Sequence, residues 1–129
     1  MAFALIIPKI ENTNKLVFQR RDGKAPTDPN LLGLFGGSLE AGETPIEAAF
    51  RELTEETSLQ VAQDDLTLAG DADMPTAKGP AHAHVYTVVV PDADFEVYEG
   101  EGLEVFTKDE VLSRNDLAPA ARHLLELVF

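Results

Sequence analysis

Two apolar runs lie near the start of the chain, and each has the length and composition of a strand. Phe3–Ile10 is almost continuously aliphatic, and Lys15–Arg20 carries Leu16 and Phe18 in partial alternation. Apolar runs bounded by polar turn residues are typical of strands. Asp22–Asn30 contains glycine and two prolines without an apolar period, which predicts a loop. The first thirty residues therefore predict two strands followed by a loop.

A helix start follows Leu31–Leu39, an apolar stretch interrupted by three glycines. Thr44 and Glu47 have the spacing of a capping box, and Pro45 occupies the first helical position, where its missing N–H is tolerated. Apolar residues then recur at the spacing of one helix face: Ile46, Ala49, Phe50 and Leu53. The pattern predicts a helix over Pro45–Thr57.

The second half of the chain predicts further strands and two short helices. Leu66–Ala69 and Ala81–Val90 are predicted strands, and Gly70–Pro80 is a predicted loop between them. The remaining predicted elements are two strands, a helix begun by a capping box, and a last helix: Phe95–Tyr98, Leu103–Phe106, the segment after Thr107 and Glu110, and the segment that Asp116 caps. Consecutive strands are too close for βαβ crossovers. The predicted class is therefore α+β, a mixed sheet with helices on its faces, in a single domain over residues 1–129.

Composition and charge exclude several classes of partner and site. The chain has 23 acidic and 10 basic residues, so its formal net charge is −13. Such a surface repels nucleic acid and anionic lipid, and we expect neither as a partner. The absence of cysteine excludes disulfides, thiolate metal sites and a cysteine nucleophile. No apolar run reaches the length of a membrane span, and we expect a cytoplasmic protein.

Three carboxylates fall close together on the predicted main helix. At 100° per residue, Glu52, Glu55 and Glu56 occupy an arc of about 100° next to the apolar stripe. Like charges at these spacings repel, and near the C-terminal end of a helix they also oppose its dipole. A hard divalent cation such as Mg²⁺ would relieve the repulsion, because it binds carboxylate oxygens. The alternative is a solvated acidic face in an acidic protein.

The residues around these glutamates match a family motif. From Gly37 the chain reads Gly, five residues, Glu43, seven residues, and then Arg51-Glu52-Leu53-Thr54-Glu55-Glu56-Thr57-Ser58-Leu59. This resembles the Nudix box, G-x5-E-x7-R-E-U-x-E-E-x-G-U with U aliphatic. The resemblance implies the fold of that family, a mixed sheet between helices in an α/β/α sandwich.

One position departs from the motif. The last glycine of the box is replaced by Ser58. A left-handed helix end at this position would favour glycine, so that Ser58→Gly would stabilise the fold by about 0.5–1 kcal/mol.

The resemblance implies roles for the residues of the box. It makes Glu52, Glu55 and Glu56 ligands of Mg²⁺ or Mn²⁺, with the carbonyl of Gly36 joining them, and it makes Glu52 and Glu55 catalytic. Glu43 and Arg51 are implied to brace the loop and helix. The expected chemistry is metal-dependent attack of water on a phosphoric anhydride.

The general base is not fixed by the box. Glu101, between two glycines, resembles a loop glutamate that serves in MutT-like members of the family, and flanking glycines suit a mobile loop. A box glutamate, Glu99 or a merely solvated acidic turn are the alternatives.

Substrate contacts outside the box are suggested by one arginine and by a strand. Arg21 resembles a substrate-contacting arginine of MutT-like members, although a surface ion pair is an equal alternative for Arg20 and Arg21. Tyr86 alternates with His82 and His84 and could stack a base, or all three are half-exposed strand residues. Metal binding by the two histidines is not expected without further nitrogen or sulfur ligands.

The resemblance implies a pyrophosphohydrolase that cleaves a nucleoside diphosphate linked to a group X. A nucleoside triphosphate, cleaved to a monophosphate and pyrophosphate, is the expected substrate. Ala118–Ala121 lies where MutT-like members carry a purine-reading asparagine, which weakens oxidised dGTP. Pro75 resembles a marker of ADP-ribose hydrolases, so ADP-ribose or another nucleotide sugar is the first alternative. A non-catalytic nucleotide-sensing module is the second alternative. We expect a monomer or a homodimer.

Overall fold

The computed structural model describes residues 1–129, which form seven strands and three α-helices around one sheet. A short 3₁₀ turn, Gln63–Asp65, precedes the fifth strand. The strands are β1 Ala2–Ile10, β2 Lys15–Arg20, β3 Leu32–Gly33, β4 Phe35–Ser38, β5 Thr67–Thr76, β6 Gly79–Val90 and β7 Leu103–Thr107. The helices are α1 Pro45–Glu56, α2 Lys108–Leu112 and α3 Pro119–Val128. No helix combines the length and the apolar character that crossing a bilayer requires.

The sheet is mixed and is organised around β1. Its main path runs β3-β2-β1-β6-β5, with β4 paired to β1 and β7 paired to β2. β1 runs parallel to β6 along its whole length and antiparallel to β4, where Leu5 lies opposite Gly36. The predicted mixed sheet flanked by helices is confirmed.

Two apolar cores cover the two faces of the sheet. On one face α1 buries Leu53 against Ile6 and Phe35. On the other face α2 and α3 bury Val111 and Leu124 against the sheet. In β1 and β2 alternate residues enter opposite cores, as the pleat requires. The layers are therefore helix, sheet and helix, as the family resemblance implied.

The two ends of α1 are set by the residues that cap them. Thr44 accepts the N–H of Glu47, and the Glu47 carboxylate accepts the N–H of Thr44, so the predicted capping box forms. The helix ends at Glu56, one residue before the predicted boundary, because Thr57 is already extended and pairs with Val97.

The strand β5 corrects the prediction of a loop over Gly70–Pro80. Thr67–Thr76 pairs with β6 over nearly all its length, with an irregularity between Leu68 and Gly70. Its exposed residues and its glycine and proline hide the strand pattern, because an edge strand is packed on one side only. A second correction concerns Phe95–Tyr98, which contributes only the isolated bridge at Val97.

Asp116 does not cap the last helix. The residue that precedes α3 is Ala118, which makes no side-chain cap. The Asp116 carboxylate instead accepts hydrogen bonds from Arg20 at 3.0 Å and from Arg114 at 2.8 Å. These two guanidinium groups hold the pKa of Asp116 well below its usual range, Arg114 contributing more than Arg20. The aspartate therefore joins β2 to the approach of α3.

Ser58 is not in a left-handed conformation. Its φ is negative, and its N–H donates to the carbonyl of Glu96 at 3.0 Å. The Ser58 hydroxyl oxygen accepts the N–H of Glu96 at 2.8 Å. The expectation that glycine would be preferred here is wrong, because the chain leaves α1 in an extended conformation that suits serine.

Candidate active site

Two glycines of β4 make room for the carboxylates of α1. Gly36 has φ +124°, and a side chain there would overlap the carbonyl oxygen of Ala4. A Cβ on Gly37 would lie 2.7 Å from the Glu52 carboxylate. The strand therefore approaches the backbone of β1 at Gly36, where no side chain fits, and the carboxylate of Glu52 at Gly37, where a side chain would displace that carboxylate.

Glu56 is the buried member of the acidic cluster. It is only 4% exposed, and its carboxyl group accepts the N–H of Gly36 at 3.2 Å. Burial, a hydrogen bond with Glu52 and the charges of Glu52 and Glu99 raise the pKa of Glu56 to about 9. In the metal-free protein the fold thus favours a proton on Glu56, where a cation would otherwise balance the charge.

Glu52 and Glu55, the other two glutamates of the acidic cluster, both accept hydrogen bonds from one arginine. Arg51 donates to the Glu52 carboxylate at 3.1 Å and to the Glu55 carboxylate at 3.3 Å. The Glu52 side chain is 16% exposed and that of Glu55 is 58% exposed. The three glutamates therefore grade from buried to open along one helix face, which gives a bound ion both protein oxygens and access to solvent.

Arg51 also braces the loop before the helix. It donates to Glu43 at 2.6 Å and 3.0 Å and to the carbonyl of Ser38 at 3.2 Å. The hydrogen bonds with Glu43 raise the pKa of Arg51 and lower that of Glu43. The bracing that the resemblance implied for Glu43 and Arg51 is confirmed by these contacts.

The donor set fits a hard dication. It offers carboxylate oxygens on consecutive turns of one helix, and it contains no sulfur or nitrogen ligand. Oxygen-only ligands and an open side suit Mg²⁺, which retains waters for a phosphate substrate. The burial of Glu56 beside the carboxylate of Glu52 is a charge arrangement that a cation would stabilise.

A cleft of about 270 Å³ reaches the two glycines that lie next to Glu56 and Glu52. Gly36 and Gly37 line it on one side, and Ala118, Ala120 and Ala121 line it on another. Its other lining residues are mainly apolar, with three polar side chains: Phe3, Leu5, Arg21, Thr27, Asp28, Gly33, Leu34, Met74 and Leu124. An apolar cleft that ends at an acidic cluster can hold a ring at one end and a diphosphate at the other.

The two adjacent arginines divide their roles. Arg20 forms ion pairs with Glu104 at 2.6 Å and with Asp116 at 3.0 Å, so its role is structural. Arg21 has no carboxylate partner; it donates to the carbonyl and hydroxyl oxygens of Thr27 and lines the cleft. The ion-pair alternative therefore applies to Arg20, whereas Arg21 remains a candidate for contact with substrate.

Tyr86 is not available for stacking. Its side chain is 7% exposed and packs in the core beneath α1, and burial raises its pKa. A different tyrosine, Tyr98, is 59% exposed. It lines a second, polar depression together with Arg21, Lys24 and Glu99. The sequence pattern does not identify Tyr98 as a candidate site residue, because it lies in a loop, where side chains follow no regular spacing.

Glu99 belongs to the loop that contacts the last residue of α1. Its charge acts on Glu56, and the neighbouring Tyr98 N–H donates to the Glu56 carbonyl at 2.8 Å. Glu101 is exposed, and its side chain makes no hydrogen bond or ion pair. Its backbone N–H donates to the carbonyl of Arg20, and Gly100 is glycine because a Cβ would overlap that carbonyl. The flanking glycine thus serves a close backbone contact.

Comparisons with known proteins agree with this architecture. A sequence relative, the dihydroneopterin triphosphate diphosphatase of Escherichia coli K12, is 38% identical over 65 residues, which are 50% of this chain and 40% of that protein. The chain thus matches less than half the length of that relative.

Two solved structures share the fold. The crystal structure of the MutT protein from Methanosarcina mazei Go1 aligns with a TM-score of 0.84 at 21% identity, over 99% of this chain and 91% of that chain. The NUDIX domain of Shewanella oneidensis NrtR, solved with ADP ribose, aligns with a TM-score of 0.75 at 17% identity, over 98% and 84%.

The family assignment rests on the whole length of the chain. The family description of the NUDIX domain matches residues 2–128. The match includes the box on α1, the two glycines of β4 and the sheet that positions them. The chain therefore belongs to the NUDIX domain family.

Proposed function

We propose that this protein is a Mg²⁺-dependent pyrophosphohydrolase that cleaves a nucleoside diphosphate linked to a group X. The observation that carries the proposal is that Gly36, whose N–H donates to the buried Glu56 carboxyl, also lines the cleft. The acidic cluster, which a cation would stabilise, thus lies next to a mainly apolar cleft that could hold the ring of a substrate. Mn²⁺ is the alternative ion, since it also prefers oxygen ligands.

The proposed chemistry divides among few residues. Glu52, Glu55 and Glu56 hold the ion, with the Gly36 carbonyl as a fourth proposed ligand. When bound, Mg²⁺ neutralises the diphosphate and acidifies the attacking water. In the proposed hydrolysis a carboxylate of the protein would take the proton of the attacking water, and the anhydride P–O bond would break with its electron pair leaving on the departing phosphate group.

Glu99 is the proposed base. It is the loop carboxylate whose charge reaches Glu56. A hydrogen bond of 3.2 Å from the Gln19 amide to the Glu99 carbonyl holds its backbone to β2. Glu101, the candidate from the sequence, remains the comparison residue for every test of this role.

A triphosphate is the proposed substrate class. The cleft wall formed by Ala118, Ala120 and Ala121 offers no side-chain amide to read a purine. The relative from Escherichia coli is named for a pterin triphosphate, which supports a triphosphate attached to a ring system. Arg21 and Lys24, which line the polar depression beside Glu99, supply positive charge for the phosphates.

ADP-ribose or another nucleotide sugar is the second candidate. The NUDIX domain of Shewanella oneidensis NrtR was solved with ADP ribose and shares this fold. Pro75, however, is exposed in β5 near its turn with β6 and does not line the cleft, so it gives this candidate no support in the structure. A nucleotide-sensing module without hydrolysis is the third candidate.

A product screen separates the three candidates. The protein with Mg²⁺ is offered nucleoside triphosphates, dihydroneopterin triphosphate and ADP-ribose, and ³¹P spectra identify the products. We expect pyrophosphate and a monophosphate from one or more triphosphates, and loss of both products in Glu56→Gln. Two monophosphates from ADP-ribose alone would establish the second candidate. Tight binding of a nucleotide without products would establish the third.

A further inference from the structure

A second group of metal-ligand side chains lies on the β5–β6 hairpin, and none of its members belongs to α1. The register sets Asp71 opposite His84 and Asp73 opposite His82. Side chains directly opposite one another on paired strands lie on the same face. Two imidazoles and two carboxylates therefore share one face at the edge of the sheet.

The ligand atoms are already close together. One ligand atom each from Asp71, His82 and His84 lies within 4.8 Å of the other two. The rings of His82 and His84 are 5.0 Å apart and nearly perpendicular. Ligands of a tetrahedral zinc ion lie about 3.4 Å from each other, given bonds of about 2.1 Å. Small side-chain rotations, with the backbone unchanged, would close the difference.

Both ring nitrogens of His82 donate to carboxylates, and a bound cation would replace the proton between Nε2 and Asp71. Its Nδ1 lies 2.7 Å from the Asp73 carboxylate, and its Nε2 lies 2.8 Å from the Asp71 carboxylate. A histidine that binds a metal commonly donates its other ring N–H to a carboxylate, which fixes the ring orientation. Asp73 occupies that supporting position, and Asp71 faces the nitrogen that would bind the ion.

We propose that Asp71, His82 and His84 form a site for one transition-metal dication of the Zn²⁺ class, with Asp73 as the supporting carboxylate. Two imidazoles and one carboxylate suit zinc and its neighbours, whereas Mg²⁺ prefers oxygen ligands alone. The chain thus separates two ions by chemistry, one on α1 and one on the hairpin. Three protein ligands leave the remaining coordination position to water.

The ion would fasten β5 to β6 beside the cleft. Met74 follows Asp73 directly and lines the cleft wall. His123 of α3 lies 2.9 Å from the carbonyl oxygen of Asp73. A metal at Asp71 and His82 would therefore fix the strand that carries one wall of the proposed substrate pocket, without touching the carboxylates of α1.

Zinc titration under saturating Mg²⁺ tests the site, because Mg²⁺ then occupies the oxygen ligands of α1. The protein contains three histidines, so ring ¹⁵N spectra can resolve each one. We expect one equivalent of Zn²⁺ to move the signals of His82 and His84 and to leave those of His123 nearly unchanged. Signals of His82 and His84 that do not move would overturn the proposal.

Variants give the second readout. His84→Asn and Asp71→Asn should each weaken Zn²⁺ binding at least tenfold, and Asp73→Asn should weaken it about 10–100-fold as a supporting residue. His123→Gln is the matched control and should keep the wild-type affinity. Far-UV circular dichroism and Mg²⁺-dependent hydrolysis, where present, verify that each variant is folded. Zinc affinity unchanged in His84→Asn and Asp71→Asn, but lost in Glu56→Gln, would place the ion on α1 and reject the hairpin site.

Discussion

The Glu56 carboxyl group accepts the backbone N–H of Gly36 at 3.2 Å, and this contact joins the last turn of α1 to the strand that lines the cleft. The acceptor is buried, and the carboxylates of Glu52 and Glu99 raise its pKa further. The single hydrogen bond from Gly36 does not offset the cost of a buried negative charge next to other carboxylates. The contact therefore positions a group whose charge the metal-free fold disfavours.

The first prediction is a pH dependence of the metal-free protein. The folded-state pKa of Glu56 lies above its ordinary value of 4.5. A raised carboxyl pKa contributes stability that is complete below the unfolded pKa and is lost as pH rises toward the folded pKa. Unfolding in urea with a chelator should therefore show stability falling between pH 5 and pH 9, by up to about 1.4 kcal/mol per pH unit for one proton.

Glu56→Gln isolates this effect from the general charge of the protein. Glutamine is neutral at every pH, so the variant should lose the part of the slope that belongs to residue 56 and should exceed the wild type in metal-free stability at pH 8. Its Mg²⁺-induced rise in melting temperature should shrink, because that rise reports ligand binding to the native state. Large destabilisation of metal-free Glu56→Gln with an undiminished Mg²⁺ response would contradict the metal-ligand role.

The second prediction separates the adjacent arginines. Arg20→Ala should lower the free energy of unfolding by about 1–2 kcal/mol, because it removes charge-assisted hydrogen bonds to Glu104 and Asp116. Arg21→Ala should leave stability nearly unchanged and raise KM about tenfold, the equivalent of one charge-assisted hydrogen bond to phosphate. Urea unfolding and steady-state kinetics of both variants provide the measurement. A KM effect in Arg20→Ala alone would reverse the assignment.

Local signals in the sequence were enough to predict α1 and its acidic face. The capping box of Thr44 and Glu47 and the spacing of the glutamates need only neighbouring residues, and the structure reproduces both. The bracing by Arg51 was likewise implied by the box. Elements defined within one helix turn could thus be located without knowledge of the fold.

Contacts between distant segments could not be predicted in this way. β5 is held by its pairing with β6, and its own residues lack a clear strand period. Aspartate is a residue type that favours helix N-caps, but the Asp116 carboxylate accepts hydrogen bonds from Arg20 and Arg114 instead. Tyr86 alternates with His82 and His84 along β6, yet Tyr86 is buried in the core beneath α1 while the two histidines stay partly exposed, and the strand pattern alone does not distinguish them.

The third prediction concerns Ser58 at the end of α1. Ser58→Gly should lower the free energy of unfolding by about 1 kcal/mol, because it removes the hydroxyl acceptor of the Glu96 N–H and adds freedom to the unfolded chain. Ser58→Ala is the matched control, since it removes only the hydroxyl group. Denaturant midpoints should therefore rank wild type above Ser58→Ala and Ser58→Ala above Ser58→Gly. A higher midpoint for glycine would restore the left-handed helix end.

The fourth prediction compares the two loop glutamates. If Glu99 takes the proton from the attacking water, Glu99→Gln should lower kcat by about 10²–10⁴-fold. Glu101→Gln should retain kcat within a factor of about three, because the loop charge that acts on Glu56 is that of Glu99 and not that of Glu101. Mg²⁺ affinity, followed by melting temperature, should stay close to wild type in both variants. The opposite ranking of kcat would return the role to Glu101.

The last prediction uses the glycines of β4 to move one carboxylate without removing it. A Cβ at Gly37 would lie 2.7 Å from the Glu52 carboxylate, which is the end of a flexible side chain and can shift. Gly37→Ala should therefore fold, but with Glu52 displaced, and kcat should fall about 100-fold, the cost expected for a misplacement of about 1 Å. Gly36→Ala should instead fail to fold stably, since its Cβ would overlap the backbone carbonyl of Ala4. Gly42→Ala, where a Cβ meets no atom but φ is +79°, controls for the strain of alanine alone and should reduce stability with kcat unchanged. Melting curves and kcat for the three variants therefore distinguish a site that depends on the position of Glu52 from one that depends only on glycine flexibility, and a wild-type kcat in Gly37→Ala would exclude the first.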